Sequence, residues 1–302
     1  FVAQKATRLN LKRNGLDDEA VTFNYANEAL EDKFDWVLIK VPKTLSLLTH
    51  QLNQVAPHLS TNSKIVAVGK VKDIHKSTLS LFEKIFGKTT TSLAKKKSRL
   101  IFAEFDENLA RTDAENTLSW PLENTNITLH HYANVFSRES LDIGARFFIE
   151  HLPNQLNDKH IIDLGCGNGL LGLCVLNQVK KHKTQIHLTF CDESYMAIES
   201  ARLNVKNNHS EYLDNCEFLQ DDCLSKLTSN SVDIILCNPP FHQQNTITEH
   251  IAKQMFSDAH RTLKAGGELF VVANRHLPYQ SQLKKNFGGF KLHAQNNKFV
   301  IY

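Results

Sequence analysis

The most restrictive feature of this 302-residue chain is one junction. The run His160-Ile161-Ile162-Asp163-Leu164 passes into Gly165-Cys166-Gly167-Asn168-Gly169 and then into a helix-patterned stretch. A short apolar run closed by glycines reads as a buried strand whose chain turns tightly and approaches a ligand closely. Such a strand needs parallel neighbours, and the sequence supplies them. Ile186–Cys191, Glu217–Gln220 and Val232–Cys237 read as strands, Ser194–Asn208 and Ile247–Leu263 as helices, and Gly267–Ala273 as a further strand. This alternation predicts a parallel, doubly wound α/β sheet. Gly289–Gln295 and Lys298–Tyr302, joined through Asn296-Asn297, are expected to end it as an antiparallel hairpin.

The chain also repeats itself. FDWVLIKVPKT (34–44) matches VDIILCNPPFH (232–242), with Asp35 against Asp233 and Pro42 against Pro240. SKIVAVG (63–69) sits against GELFVVA (267–273), LFEKIFG (81–87) against QLKKNFG (282–288), and RLIFA (99–103) against FVIY (299–302). ATRLNLKRN (6–14) matches SARLNVKNN (200–208), with Arg8, Leu9, Asn10 and Lys12 identical to their counterparts. Matches in this order point to duplication. Nothing corresponds to the stretch 141–199, so the first copy is expected to be N-terminally incomplete, its natural leading segment lost or not ordered. Where the second copy reads Asn238-Pro239-Pro240-Phe241, the first reads Lys40-Val41-Pro42-Lys43. The division expected is a degenerate domain over 1–110, a linker over 111–126 and a catalytic domain over 127–302.

Composition excludes several classes. No apolar run approaches the ~18 residues of a membrane span, and no signal-peptide pattern opens the chain. The six cysteines contain no C-x-x-C pair, which argues against a disulfide framework or a cysteine zinc site and for a reducing cytoplasm. The 15 histidines, His130, His131 and His250 among them, show no ligand spacing, so no metal is expected. Net charge is only +3, yet residues 1–110 carry 17 basic against 12 acidic side chains, and 64–99 carry 10 against 2. Lys70, Lys72, Lys95, Lys96, Lys97 and Arg99 are therefore candidate contacts to a polyanion, with a solvated lysine-rich face as the plain alternative.

The glycine loop precedes Asp192 at the end of the next strand, where a carboxylate can accept both ribose hydroxyls of a nucleoside. Asp163 beside the glycines would repel a pyrophosphate but suits the cationic amino-acid end of S-adenosylmethionine. The G-x-G-x-G spacing likewise departs from the dinucleotide pattern. Asp222, with Asp221 as alternative, is placed to accept from the adenine amine. An exocyclic nucleobase amine is a poor nucleophile, because its lone pair is delocalised into the ring. The Asn238 side-chain oxygen and the Pro239 carbonyl could accept its two protons, the prolines hold these acceptors aimed, and Phe241 offers a stacking face. The segment 136–148 (FSRESLDIGARFF) could close over the cofactor.

With these residues in view, the chain resembles the class I S-adenosylmethionine-dependent methyltransferases. More narrowly, DLGCGNG, NPPFH and VFSRESLDIGARFF resemble the bacterial ribosomal RNA guanine-N2 methyltransferases built from tandem Rossmann-like domains. IKVPKTLSLL, LFEKIFGKTTTSLAKKKSRL and VANRHLPY are similar to the branch acting on the large subunit. The resemblance implies a degenerate, RNA-binding first domain. It implies that Asp163, Gly165, Gly167 and Asp192 hold the cofactor, and that Asn238 to Phe241 hold the guanine; Cys166, Gly169, Asp222 and Asn238 complete the candidate cofactor set. It leans toward protein-free large-subunit (23S) RNA as substrate and a monomeric enzyme. Small-subunit RNA, a protein glutamine amide, and a non-catalytic RNA-binding factor remain as alternatives. A dehydrogenase would have no use for Asn238-Pro239-Pro240-Phe241.

Overall fold

The computed structural model describes residues 1–17, 19, 21–111, 117–182, 185–240 and 246–302. These form two compact units, one over Phe23–Thr117 and the other over Leu118–Tyr302 together with Phe1–Thr22. The cut differs from the expected domain over 1–110. Helix α1 (Val2–Arg13) groups with the second unit because the Phe1 ammonium donates to the Glu193 carbonyl and the Lys226 ammonium sits over the Phe1 ring.

The first unit holds β1 (Trp36–Lys40), α2 (Leu45–Val55), β2 (Lys64–Lys70), α3 (Lys76–Ile85), β3 (Thr89–Thr91) and β4 (Ser98–Ala103). Its sheet runs β1-β2-β4-β3, with β1 parallel to β2 and β4 antiparallel to both β2 and β3. Alternate residues point to opposite faces of a strand. Val37, Ile65, Ala67, Ile101 and Ala103 accordingly pack on Leu48 and Leu52 of α2 and on Phe82 and Ile85 of α3. Leu38, Val68, Leu100 and Phe102, on the opposite face, are exposed.

The second unit continues with the pair β5 (Thr117–Pro121) and β6 (Thr128–Tyr132), α4 (Ile143–Ile149), β7 (Lys159–Leu164), α5 (Leu170–His182), β8 (Ile186–Asp192), α6 (Tyr195–Asn208) and β9 (Cys216–Gln220). It ends with β10 (Val232–Cys237), α7 (Thr246–Thr262), β11 (Leu263–Asn274), α8 (Tyr279–Phe287), β12 (Ala294–Gln295) and β13 (Phe299–Ile301). Its sheet order is β12-β13-β11-β10-β7-β8-β9, parallel from β11 to β9 and antiparallel at β13 and β12. This is the α/β fold expected, doubly wound and closed by a hairpin. Strand β12 is only two residues long. Asn296 Oδ1 makes the turn by accepting the Lys298 and Phe299 N–H groups.

Both faces of this sheet are covered. Ile161, Leu188 and Ile234 pack with Phe148, Leu173, Leu176 and Val205 of α4, α5 and α6. Their strand neighbours Ile162, Cys191 and Ile235 pack with Phe256, Ala259 and Leu283 of α7 and α8. Each such burial contributes about 2 kcal/mol against solvent exposure. The β1-β2-β4-β3 sheet repeats the order and strand senses of β10-β11-β13-β12, and the segments that correspond are those matched in sequence.

The stretch expected as a linker contains β5. Its partner β6 is closed along one edge by side chains of α6. Ser200 Oγ accepts the Tyr132 N–H, and Asn204 Oδ1 accepts the His130 N–H while its Nδ2 donates to the His130 carbonyl. Asn208 does the same for Thr128. Positions 200, 204 and 208 share one helix face, and they meet every second residue of the strand.

Candidate active site

The strand register gathers the candidate residues at one edge. Leu164 lies opposite Cys237 on one side and Cys191 on the other, and Asp192 lies opposite Gln220. Asn238, Gly165, Asp192 and Asp221 therefore begin four neighbouring loops, at the carboxyl ends of the strands, where open α/β sheets bind ligands.

The glycine loop hangs from β8 by two bonds, Gly165 N–H and Cys166 N–H both donating to the Cys191 carbonyl at 2.8 and 3.0 Å. Gly165, Gly167 and Gly169 all have positive φ (71°, 53° and 81°). A Cβ on Gly169 would stand 2.9 Å from Ala201 Cβ. At Gly167 a Cβ would meet no described atom within 4 Å, which leaves open space in front of the loop. Farther on, a Cβ on Gly172 would fall 2.2 Å from the Phe190 ring, so α5 packs on β8 through a bare backbone. Gly167, Gly169 and Gly172 thus have G-x-G-x-x-G spacing. Glycine spacing does not separate this loop from a dinucleotide site, and the distinction rests on the acids and on Asn238.

Asp163 is buried, and its carboxylate accepts the Gly172 N–H at 2.9 Å. Burial pushes its pKa up to about 7, opposed by the Gly172 bond and assisted by the charge of Asp192. Its side chain thus braces α5 as well as bordering the loop. Asp192 accepts the Gly167 N–H at 3.0 Å and the Ser194 N–H at 2.9 Å, and burial raises its pKa too. Each of its oxygens keeps a lone pair for a further donor. Cys166 is buried, and its thiol is held neutral well above the usual range.

Asp221 is fully buried and accepts the Asp222 N–H, the Ser225 hydroxyl and the Lys226 N–H. Asp222 is half-buried, which favours it over Asp221 as the group open to a ligand. Asn238 Oδ1 is buried and, among the described residues, has no hydrogen-bond partner. Pro239 is buried and Pro240 exposed. Phe241 lies outside the described residues. The donor and acceptor set suits a nucleoside with a cationic tail: acids at the ends of β7, β8 and β9, an open loop backbone, and at the end of β10 an acceptor without a partner among the described residues.

The six basic candidates also meet. Lys70 pairs with Ser98 across β2 and β4, and the Val71 N–H donates to the Lys97 carbonyl at 3.0 Å. Lys95 and Ser98 exchange backbone bonds of 2.9 Å around a turn whose central residues, Lys96 and Lys97, have φ of 50° and 62°. Lys70, Lys72, Lys95, Lys96 and Lys97 are exposed. Arg99 is half-buried, and its buried Nε lacks a partner among the described residues. No group of three metal-ligating side chains occurs among the described residues, and no described helix is long and apolar enough to cross a membrane.

The family described as Methyltransferase small domain matches residues 126–302, and that described as RLMG N-terminal domain matches 1–107. Ribosomal RNA large subunit methyltransferase G of Klebsiella pneumoniae subsp. pneumoniae is 51% identical over 302 residues, covering 100% of this chain and 78% of that protein. Its namesake from Pseudoalteromonas atlantica is 50% identical over 307 residues, with the same coverage. Among solved structures, the T. thermophilus 16S rRNA N2 G1207 methyltransferase RsmC, in complex with AdoMet and guanosine, superposes with a TM-score of 0.79. It is 20% identical, and the match covers 96% of this chain and 77% of that one.

Proposed function

The chain belongs to the family of ribosomal RNA large subunit methyltransferase G, and from that membership we propose that it methylates the exocyclic N2 of a guanine in large-subunit ribosomal RNA, using S-adenosylmethionine. The observation that carries the chemical assignment is the buried Asn238 Oδ1, without a partner among the described residues, at the end of β10, one strand from the glycine loop.

S-adenosylmethionine supplies a methyl group activated on a sulfonium. The chain's own residues do the rest. Asp192 accepts the ribose hydroxyls, Asp222 accepts from the adenine amine, and Gly165, Cys166, Gly167 and Gly169 give the amino-acid end a backbone it can approach. Asp163 borders the amino-acid end of the site while bracing α5 through the Gly172 N–H. Asn238 Oδ1 and the Pro239 carbonyl accept the two amine protons of guanine, which localises the nitrogen lone pair toward the methyl carbon. Pro239 and Pro240 keep these acceptors fixed, so little reorganisation remains for the reaction itself. Phe241 provides the stacking face for a base taken out of its stack. Held this way, the amine lone pair would face the methyl carbon that the bound cofactor supplies with its sulfonium as leaving group, and the surplus amine proton would pass from the Asn238 and Pro239 acceptors to solvent. Lys70, Lys72, Lys95, Lys96, Lys97 and Arg99 hold RNA phosphates. The substrate is protein-free RNA and the enzyme acts as a monomer.

The direct test is incubation with methyl-labelled S-adenosylmethionine and protein-free large- or small-subunit RNA, followed by nucleoside digestion. Label in N2-methylguanosine from large-subunit RNA alone is expected. Label in small-subunit RNA would overturn the substrate, and no label in either RNA would overturn the activity on protein-free RNA.

A further inference from the structure

One polar cluster of the second unit takes no part in the chemistry above. His131 of β6 is fully buried and stacks on Trp120 of β5, with ring centroids 5.2 Å apart and planes 18° from parallel. Its Nδ1 lies 3.3 Å from Nδ2 of Asn168, inside the glycine loop. Asn168 Oδ1 accepts the Leu170 N–H at 3.1 Å, so Nδ2 is the donor toward His131. The imidazole therefore accepts at Nδ1 and carries its single hydrogen on Nε2. Burial, followed by the positive charge of Arg138, pulls the His131 pKa down to about 4 and keeps the ring neutral. Arg138 is itself tied to the group, since Trp120 Nε1 donates to its carbonyl at 2.9 Å.

Two N–H donors of this cluster, His131 Nε2 and Arg138 Nε, are buried without an acceptor among the described residues. A buried donor on a permanently charged guanidinium is costly to leave unmet, so an acceptor is called for. The strand order indicates which one. Adenine at Asp222 beyond β9, ribose at Asp192 on β8, and the methyl turned toward Asn238 on β10 leave the amino-acid end over the loop after β7. That end carries a carboxylate, which Asp163 and Asp192 would repel. It needs a cation, and an arginine fork matches a carboxylate.

We propose that Arg138 anchors the carboxylate of the cofactor's amino-acid end, with Trp120 and His131 fixing its place beside the loop. The proposal rests on the S-adenosylmethionine reading and extends it to a residue on the 136–148 segment. It is tested by binding alone, comparing S-adenosylhomocysteine with 5′-methylthioadenosine, which lacks the amino-acid end. Calorimetry on Arg138→Met should show a loss of about thirtyfold or more for S-adenosylhomocysteine and none for methylthioadenosine. Arg138→Lys, which keeps the charge without the fork, should lose less, and it serves as the second variant if the first does not fold. Equal losses for both ligands, or no loss for either, would overturn the anchor. A wild-type protein that binds neither ligand would overturn the cofactor reading and the anchor with it.

Discussion

The two sheets end alike and are furnished oppositely. In the second unit, the edge beyond β8, β7 and β10 carries Asp192, the glycine loop and Asn238 Oδ1, which has no partner among the described residues. In the first, the corresponding end of β1 and β2 leads into Lys40-Val41-Pro42-Lys43 and into Lys70 and Lys72, with Lys95–Lys97 joined to it through the Val71 to Lys97 bond. The backbone there still turns in order, since the Val41 N–H donates to the Val68 carbonyl at 2.9 Å. Strand order and strand senses are the same in the two sheets, while the loops at their ends differ, acceptors in one and cations in the other. On the proposed function, topology supplies a place for chemistry, and a handful of side chains decides whether the place suits a cofactor or a polyanion.

The largest effect that can break this comparison lies at Asn238. Asn238→Ala should lower single-turnover methyl transfer by about 100- to 1000-fold, the scale of removing one preorganised polar group from a transition state. Binding of S-adenosylhomocysteine should stay near the wild-type value. Lys40→Ala, at the corresponding position of the first unit, should leave the rate at saturating RNA unchanged. Asn238→Ala turnover within threefold of wild type would remove the contrast, because the acceptor would then be dispensable.

How much of this is legible depends on where each partner sits in the sequence. Strands β7, β8 and β10 are local events, apolar runs closed by Gly165, Asp192 and Asn238, and they stand where the pattern puts them. The β5–β6 pair escapes a sequence reading because its edge is completed by Asn204 and Asn208, about eighty residues away, and no periodicity within 111–132 encodes that. The hydroxyl and amides of Ser200, Asn204 and Asn208 at four-residue spacing are the available signal. Gly172 escapes as the third glycine of the loop, since its role is packing on Phe190 and lies one turn into α5. His131 reads as an ordinary core histidine, and only its bond to Asn168 ties it to the loop.

A middle-sized effect sharpens the comparison from the basic side. Lys95→Glu, Lys96→Glu and Lys97→Glu together should weaken RNA binding by ten- to a hundredfold at about 0.1 M salt. The slope of log affinity against log salt should flatten by about 0.9 for each duplex phosphate that is no longer neutralised. S-adenosylhomocysteine affinity should not change, because these residues belong to the other sheet. An unaltered salt slope in a filter-binding titration would mean that the lysines form only a solvated face.

The smallest effect concerns how the two edges use backbone strain. The glycine loop has its glycines at the positive-φ positions 165, 167 and 169, where L side chains are disfavoured and a bare backbone lets a ligand approach. The basic turn places Lys96 and Lys97 at positive φ, where asparagine and glycine are the comfortable choice. If charge is what the turn is kept for, Lys96→Asn with Lys97→Gly should relieve the strain and raise stability by about 1 kcal/mol in a denaturant titration. The same pair should weaken RNA binding by a few fold, through the loss of two cations. Stability and affinity would then move in opposite directions, as expected of a turn whose residues serve a partner rather than the fold. If both rose together, the lysines would be tolerated rather than used, and the two edges would differ only in what one of them has lost.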